Sequence, residues 1–315
     1  MGSHGTGSSV KTVWMVLGVA LTAVIAFSGG YLVATVTNEQ TAGFAIVDDY
    51  GRSVTLNGVP DRIVSIAPTP TEILYAIGAG PQLVGVDNYS DYPAEAKLLT
   101  SVGDAINLNT EVIIALKPDL VVCGDLVPVQ LEQLSETQSI PYVIFADRTI
   151  EDIFKTIRLA GIITGHVEQA DQLASDLSDR VDAVTAKTLD PNVTKPKVFV
   201  EYWSYGTSIF TFGPGSFGDD LIILAGGTNI AHNTSSEYPI VESEFVIAQN
   251  PDIVVYTTTS TSKEAIAARS GWGNVTAVQQ DNIHSIPDDL ISRYGPRIVD
   301  GLEDLAAIIH PELFS

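Results

Sequence analysis

A thirteen-residue phrase occurs twice in the chain, and each copy has the pattern of a short helix followed by a turn and a buried strand. The first copy runs from Thr110 to Val122 and the second from Ser243 to Val255. Thr110 and Ser243 are good N-cap residues, and each is followed by an acidic residue and an apolar helix. A Pro-Asp pair then ends the helix, and β-branched residues begin a strand. The repeat predicts two similar lobes that present similar tips.

The acidic residues of the repeat are Glu111 and Glu244, one in each predicted lobe. A second pair of similar segments, residues 72–79 and 220–227, precedes the two copies of the repeat. Both segments have the pattern of an apolar helix that ends at glycine. The two repeated segments occur in the same order in both halves of the chain. We therefore interpret them as a sign of two similar lobes rather than as chance reuse of a common unit.

Strands and helices alternate on both sides of a long helical stretch, which is typical of parallel sheets covered by helices. We expect an α/β fold with two lobes of mainly parallel sheet, joined by one long rigid helix, and a hairpin over residues 44–56. Strands are predicted at 63–67, 83–86, 120–123, 142–145, 198–202, 253–256 and 283–286. The predicted parts are an N-terminal tail, membrane segment and linker at 1–43, a first lobe at 44–165, a connecting helix at 166–190 and a second lobe at 191–315.

Residues 12–36 carry no charge and, as a helix, would extend over roughly 37 Å, which is enough to span a bilayer. Lys11 precedes this segment and acidic residues follow it, so the positive-inside rule places the N-terminus in the cytoplasm and the rest outside. The length favours an uncleaved anchor. The alternative is a signal peptide cleaved after Ala34, which leaves a secreted or periplasmic protein. The single cysteine, Cys123, lies in a predicted strand, so a lipid-modified cysteine after the segment is excluded.

The formal net charge of −22 argues against nucleic acid as a partner, because the chain repels phosphate backbones. The sequence contains no Gly-x-Ser-x-Gly elbow and no glycine-rich phosphate loop, and its histidines lack metal-ligand spacing. We therefore expect a binding protein rather than an enzyme, with no covalently bound cofactor and no dedicated metal site. His232 and His284 are the histidines that could contribute to binding of a bare metal ion.

Five segments, by their joint order, resemble the helical-backbone substrate-binding proteins of ABC importers, the cobalamin- and ferric-siderophore-binding family (periplasmic binding protein class III). They are Ser-Ile-Ala-Pro-Thr-Pro-Thr-Glu at 65–72, Tyr-Ser-Asp-Tyr-Pro at 89–93, Leu-Lys-Pro-Asp-Leu at 116–120, Ala-Gly-Gly-Thr-Asn-Ile at 225–230 and Gly-Pro-Arg-Ile at 295–298. The resemblance covers about residues 44–314. It implies two α/β lobes with the ligand in the cleft between them, and one glutamate on each lobe that docks onto arginines of the permease. The matching positions are Glu111 and Glu244.

Ligand contacts are expected on the loops that follow the carboxyl ends of the strands. Aromatic side chains there offer broad contact to a large planar ligand or metal chelate, and Arg293 is the candidate to meet an anionic ligand group. Tyr89 also matches a ligand-contact position of the family. Ala105 stands where the family's cobalamin binders carry a tryptophan, which weakens the case for cobalamin, and Trp272 is expected to pack inside its lobe. The predicted contacts are Pro68, Thr69, Tyr89, Asp125, Tyr202, Trp203, Tyr205, Tyr238, Arg293 and Tyr294.

These features together predict a monomeric, extracytoplasmic solute-binding protein of an ABC importer, held at the membrane through residues 12–36. It is expected to capture a metal chelate, such as a ferric siderophore or a corrinoid, and to deliver it to the permease with its ATPase subunits. The alternatives are a binding protein for haem or a bare metal ion, and a surface sensor that works without a transporter. The glutamate pair discriminates between these classes, because a sensor has no need of it.

Overall fold

The computed structural model describes residues 20–22, 34–38 and 41–314. Its first strands are β1 (Ala20–Thr22), β2 (Ala34–Asn38), β3 (Thr41–Val47) and β4 (Ser53–Leu56), which form one antiparallel sheet in that order. The hairpin predicted over 44–56 is confirmed, because β3 and β4 pair through a turn in which the Gly51 N–H donates to the Asp48 carbonyl.

Most of the membrane segment predicted at 12–36 lies outside the described residues. The pieces of it that are described belong to the short strands β1 and β2. Within residues 20–22, 34–38 and 41–314, no helix has both the length and the apolar character needed to cross a membrane.

Five parallel strands and four helices make up the first lobe. The strands are β5 (Ile63–Ile66), β6 (Leu83–Val86), β7 (Thr100–Ser101), β8 (Leu120–Cys123) and β9 (Tyr142–Ile144), in the spatial order β7-β6-β5-β8-β9. The helices are α1 (Pro68–Ala76), α2 (Thr110–Leu116), α3 (Val129–Gln138) and α4 (Ile150–Thr164). The central strands β5 and β8 are buried along their whole length, which explains why they are continuous apolar runs in the sequence.

One long helix, α5 (Val167–Thr188), follows the first lobe and lies within the predicted connecting segment. Its 22 residues extend over roughly 33 Å. Ala170, Ala174, Leu177 and Val181 are buried on one face, as their helical spacing predicts.

The second lobe contains a parallel sheet in the order β13-β10-β15-β16 and a small antiparallel sheet in the order β11-β12-β14. The strands are β10 (Lys197–Glu201), β11 (Trp203–Tyr205), β12 (Ser208–Phe210), β13 (Thr228–Asn229), β14 (Ile240–Val241), β15 (Ile253–Thr257) and β16 (Ile283–Ile286). The helices are α6 (Phe217–Leu224), α7 (Ser243–Gln249), α8 (Lys263–Ala267), α9 (Thr276–Gln279), α10 (Asp289–Ser292) and α11 (Ile298–Ile309). The antiparallel sheet is an addition to the predicted architecture.

The lobes are joined by packing as well as by the chain. Helix α5 contacts α4 on the side of the first lobe and α6 and α11 on the side of the second. A single hydrophobic core extends through α5 into both parallel sheets. The Arg180 guanidinium of α5 donates to Asp300 and Glu303 of α11, at 2.6 Å in each case. The lobes therefore share one core through α5, and the rigidity of this connection stays a prediction.

Both copies of the repeated phrase fold into the same unit. Helices α2 and α7 each end at a left-handed residue, Lys117 and Asn250, with φ of 49° in both. The carboxylate two residues further on then accepts a backbone N–H at the start of the neighbouring strand. Asp119 Oδ2 accepts from Arg62 at 2.9 Å, and Asp252 Oδ2 accepts from Lys197 at 2.8 Å. The sequence repeat is therefore a structural repeat.

The helix starts differ from the prediction by one residue. Thr110 and Ser243 are the first helical residues rather than the N-caps, which are Asn109 and Glu242. The Asn109 side chain accepts the Val112 N–H at 3.1 Å, whereas Glu242 makes no side-chain cap. An asparagine is as good a cap as a threonine, so propensity alone did not separate the two neighbours.

Candidate functional site

A cavity of about 400 Å³ lies at the carboxyl ends of the strands of the first lobe. The segments that follow β5, β6, β8 and β9 contribute Ala67, Asp87, Asp125 and Phe145 to its wall, and Tyr294 closes it from the second lobe. This is the edge at which parallel α/β sheets bind ligands, because the loops after the strands converge there.

Half of the predicted ligand contacts line this cavity. Pro68 and Thr69 begin α1 and line the cavity. No side chain caps the start of this helix. Tyr89 is 63% exposed at the cavity, and Asp125 and Tyr294 complete the group.

Tyr202 and Tyr238 stand beside the cavity and support its wall. The Tyr238 and Tyr294 hydroxyl groups form a hydrogen bond at 2.8 Å. Tyr202 stacks on Phe212 with ring centroids 4.8 Å apart and meets the Tyr238 ring edge to face. Burial raises the pKa of the Tyr294 phenol, so this hydroxyl stays protonated at neutral pH.

Trp203 and Tyr205 lie on β11 and are not part of the cavity lining. Their side chains are 47% and 80% exposed. Both belong to the antiparallel sheet, which was not predicted from the sequence. They therefore lie within a strand rather than on a loop at the end of a parallel strand.

Arg293 is held in an ion cluster between the lobes rather than in the cavity lining. Its guanidinium lies 3.1 Å from Glu72, 2.8 Å from Asp91 and 2.9 Å from Asp289. Arg297 makes a two-pronged contact with the same Glu72 and stacks over the Tyr92 ring. Because its donors are taken by three carboxylates, this placement does not support the predicted role of Arg293 in meeting an anionic ligand.

The ion cluster joins residues from three of the five segments that resemble the substrate-binding family. Glu72, Tyr92 and Arg297 come from segments that are distant in sequence and meet at the interlobe junction. A buried chain of hydroxyls continues from the first segment, in which Thr71 bonds Ser65 and Ser90, each at 2.8 Å, and Ser90 bonds Asp87. This chain of hydroxyls ends at Asp87, which lines the cavity.

Two buried aspartates of the cavity were not predicted. Asp87 is 5% exposed and Asp147 is 2% exposed. Burial raises the pKa of Asp87, and it raises the pKa of Asp147 to about 8, assisted by Asp49, Asp152 and Asp125. Asp87 follows β6 directly and Asp147 follows β9 closely. Both could have been predicted by the reasoning that selected Asp125, namely that ligand contacts lie on the loops after the carboxyl ends of strands.

Glu111 and Glu244 are exposed in the first turns of α2 and α7. Each helix precedes a parallel strand of its lobe, so its first turn lies at the edge where the strands end. Neither residue lines the cavity. The two carboxylates thus present equivalent charged points on the ligand-binding side of the two lobes.

Other singled-out residues have structural roles. Trp272 is fully buried against Phe199, with ring centroids 6.3 Å apart, as predicted. Cys123 is buried in β8, and burial raises the pKa of its thiol to about 12. His232 pairs with Asp219, and His284 bonds Asn282. Across residues 20–22, 34–38 and 41–314, no three His, Cys, Asp or Glu side chains are grouped to hold a metal ion.

The chain matches the family described as periplasmic binding protein over residues 63–290. An ABC transporter substrate-binding lipoprotein of Bacillus subtilis is 32% identical over 286 residues, which cover 88% of this chain and 89% of the relative. A vitamin B12-binding protein of Pectobacterium carotovorum is 32% identical over 245 residues, which cover 76% of this chain and 85% of the relative.

Solved structures agree with the sequence relatives. The vitamin B12-binding protein of Vibrio cholerae superposes with a TM-score of 0.68 at 27% identity, over 80% of this chain and 98% of its own. The apo heme-binding protein of Roseiflexus sp. RS-1 superposes with a TM-score of 0.71 at 26% identity, over the same shares of 80% and 98%. Proteins of this kind bind solutes for transport and are not enzymes. The family match spans both lobes, so this chain belongs to the periplasmic binding protein family and is a substrate-binding protein of an ABC transporter.

Proposed function

We propose that the protein captures a metal chelate in the interlobe cavity and delivers it to its permease outside the cytoplasm. The observation that carries the proposal is the cavity itself. Its volume of about 400 Å³ suits a small-molecule site, and Tyr89, Phe145 and Tyr294 give it aromatic walls. Rigid aromatic faces suit a large planar ligand, since few rotamers are frozen on binding. Relatives that bind vitamin B12 and heme, both planar chelates, support this class.

A corrinoid or a ferric siderophore is the proposed cargo, and haem is the alternative. Ala105 lines the cavity at the position where the resemblance implies a tryptophan in cobalamin binders. The small side chain leaves that part of the wall without an aromatic face, so the cavity can take a chelate of another outline.

Glu111 and Glu244 are proposed to contact the permease. Their exposure, their matched positions on the two lobes and their absence from the cavity lining support this role. Charge pairs at interfaces couple by roughly 1.5–7 kcal/mol when close, and two such points on separate lobes also fix the orientation of docking. A sensor without a transporter would not need the pair.

Residues 12–36 are proposed to hold the protein at the outer face of the membrane. The Bacillus subtilis relative is a lipoprotein. The single cysteine of this chain, Cys123, is buried in a strand, and the apolar segment is proposed to take the place of a lipid. Cleavage after Ala34, which releases the protein, is the alternative.

A ligand screen tests the proposed cargo. Corrinoids, haem and ferric siderophores are added singly, and thermal unfolding is followed. A bound chelate at one hundred times its dissociation constant stabilises the fold by about 2.7 kcal/mol through mass action. Visible absorption of the complex then identifies the chelate, because corrinoids, haem and ferric chelates have different spectra. An unchanged unfolding curve with every chelate contradicts the proposal.

A further inference from the structure

We propose that the interlobe cavity selects metal chelates that are neutral or cationic and present N–H donors, and that it excludes chelates with carboxylates or other anionic groups at their periphery. The inference rests on the function proposed above and names the ligand class of the same cavity. Its basis is the polar chemistry of the cavity wall.

Four aspartates line the cavity, and the described residues of the lining include no lysine, arginine or histidine. Asp87 and Asp147 are buried, whereas Asp104 and Asp125 are more exposed. Carboxylate oxygens accept hydrogen bonds, and ionised carboxylates attract cations and repel anions. The wall therefore offers many acceptors and no cationic partner for an anionic ligand.

Asp147 adds an independent observation that points to a ligand. Its Oδ1 contacts Thr156 Oγ1 at 2.5 Å, while its Oδ2 has no hydrogen-bond partner among the described residues. The side chain is 2% exposed and lines the cavity. A buried polar atom without a partner is costly, and a ligand that supplies the partner removes this cost.

The surroundings of Thr156 indicate which partner is missing. Thr156 Oγ1 also lies 3.2 Å from Asp49 Oδ2, and its one hydrogen can serve only one of the two carboxyls. When that hydrogen bonds Asp49, a proton on Asp147 Oδ1 completes the contact with Thr156 and leaves Oδ2 as an acceptor. An ionised Asp147 presents the same acceptor. A ligand N–H satisfies Oδ2 in both arrangements. A ligand carboxylate needs a third arrangement, in which the proton of Asp147 sits on Oδ2, whereas an amide, with its N–H and its carbonyl, fits all three.

The nearest cations do not change this conclusion. Arg293 is bound by Glu72, Asp91 and Asp289, as described above. Arg148 is exposed on the loop after β9 and is not part of the cavity lining. Burial raises the pKa of Asp125, and the charge of Arg148 opposes this rise.

The test compares chelates of the same shape and different peripheral charge. One pair is a corrinoid with peripheral amides and the same corrinoid with those amides hydrolysed to carboxylates, both with cyanide as axial ligands. The other pair is haem and its bis-amide. Titration calorimetry in about 1 M salt shortens the Debye length to about 3 Å, so the net charge of the whole chain contributes little. We expect the amide member of the pair that binds to bind at least about 10-fold more tightly.

The outcomes separate this inference from the proposed function. Equal or tighter binding of the carboxylate form overturns the inference and leaves chelate binding intact. If that anionic form also loses affinity in an Arg148→Ala variant, an arginine at the edge of the cavity recognises it. Absence of binding by all four chelates, together with absence of binding by the ferric siderophores of the screen above, contradicts the proposed function and this inference with it.

Variants of the wall provide the second test. Asp125→Asn removes one negative charge from the lining and should reduce the discrimination between the paired chelates severalfold. Asp176→Asn removes the same charge from the exposed face of α5 and should leave the discrimination unchanged. Asp147→Leu removes the acceptor and should weaken the amide chelate about 10-fold, whereas the isosteric Asp147→Asn keeps a carbonyl oxygen and should retain most of the affinity. Equal discrimination in Asp125→Asn and Asp176→Asn overturns the inference.

Discussion

Side chains of the family-like segments fall into two groups, those that face the ligand and those that fix the lobes. Tyr89 faces the cavity, whereas Asp91 and Tyr92, two and three residues further on, bind Arg293 and Arg297 of the second lobe. Glu72 belongs wholly to the second group, since it is 3% exposed and contacts both arginines. One short segment therefore builds the site and clamps the junction beside it.

Tyr89 and Tyr205 are both exposed and were both predicted to contact the ligand, but the structure predicts different effects of their replacement on chelate affinity. Tyr89→Ala should weaken chelate binding about 10-fold, because an aromatic anchor in a binding site contributes on the order of 1–2 kcal/mol. Tyr205→Ala, on β11 outside the cavity lining, should leave the affinity unchanged. Calorimetric titration of both variants with the same chelate decides the matter. A larger loss from Tyr205→Ala would place the ligand elsewhere.

Asp147 predicts a pH dependence of stability. The unfolded chain releases this proton near its ordinary pKa of about 3.9, whereas burial raises the pKa of the folded carboxyl to about 8. Between these values the folded protein holds a proton that the unfolded chain has lost. The free energy of unfolding should therefore fall as pH rises, by up to about 1.4 kcal/mol per pH unit, with the full contribution present only below about pH 4. Urea unfolding of wild type and Asp147→Asn at pH 5 to 8 gives the difference curve, and a flat curve would contradict the assignment.

At the scale of elements, the repeated helix–turn–strand unit is stabilised by the same kind of hydrogen bond in both lobes. A basic side chain at the start of one strand closes the end of the short helix. Arg62 donates to the Leu116 carbonyl, and Lys197 donates to the Gln249 carbonyl at 3.0 Å. The helices are only seven residues long, so tertiary contacts such as these at their last residues, rather than helix propensity, hold the helices in place.

The two helix starts differ in capping, which gives a matched comparison. Asn109→Ala should lower the free energy of unfolding by about 0.5–2 kcal/mol, because it removes the acceptor for the Val112 N–H. Thr110→Ala and Glu242→Ala should have smaller effects, since neither side chain caps a helix. Urea denaturation of the three variants measures the difference. A larger loss for Thr110→Ala would restore the cap predicted from the sequence.

The sequence predicts elements well where burial forces a simple pattern. Strands β5 and β8, predicted at 63–67 and 120–123, are continuous apolar runs because both faces are covered. The antiparallel sheet β11-β12-β14 escaped prediction because its strands have two or three residues, too few for a periodic signal. Two of the three partners of Arg293, Glu72 and Asp91, lie about two hundred residues away, and no local pattern specifies such contacts.

At the scale of the whole molecule, the parallel sheets of both lobes follow the N-terminal segment in the chain. They begin at Ile63 and Lys197. A variant that lacks residues 1–36 should therefore fold and remain in solution, while the full chain should associate with membranes. Fractionation of cells that express each form tests the anchor. Persistent membrane association of the shortened form would contradict it.

The two lobes also carry the paired glutamates, and their joint removal tests whether the protein serves a transporter. Glu111 and Glu244 are exposed, lie outside the cavity lining and stabilise their helices by only about 0.3–1 kcal/mol each. Replacing both with alanine should leave folding and chelate affinity nearly unchanged. A matched control replaces Glu132 and Glu168, which are exposed first-turn residues outside the repeat.

The most direct measurement is chelate transport and docking with the permease reconstituted in vesicles, beside calorimetric affinity for the same chelate. The account predicts that the Glu111→Ala, Glu244→Ala double variant loses docking and transport while it keeps its affinity. It also predicts that the control pair transports normally, and that added salt weakens wild-type docking, because exposed charges are screened over about 8–10 Å. Normal docking by the double variant, or loss of chelate affinity in its place, would contradict the account.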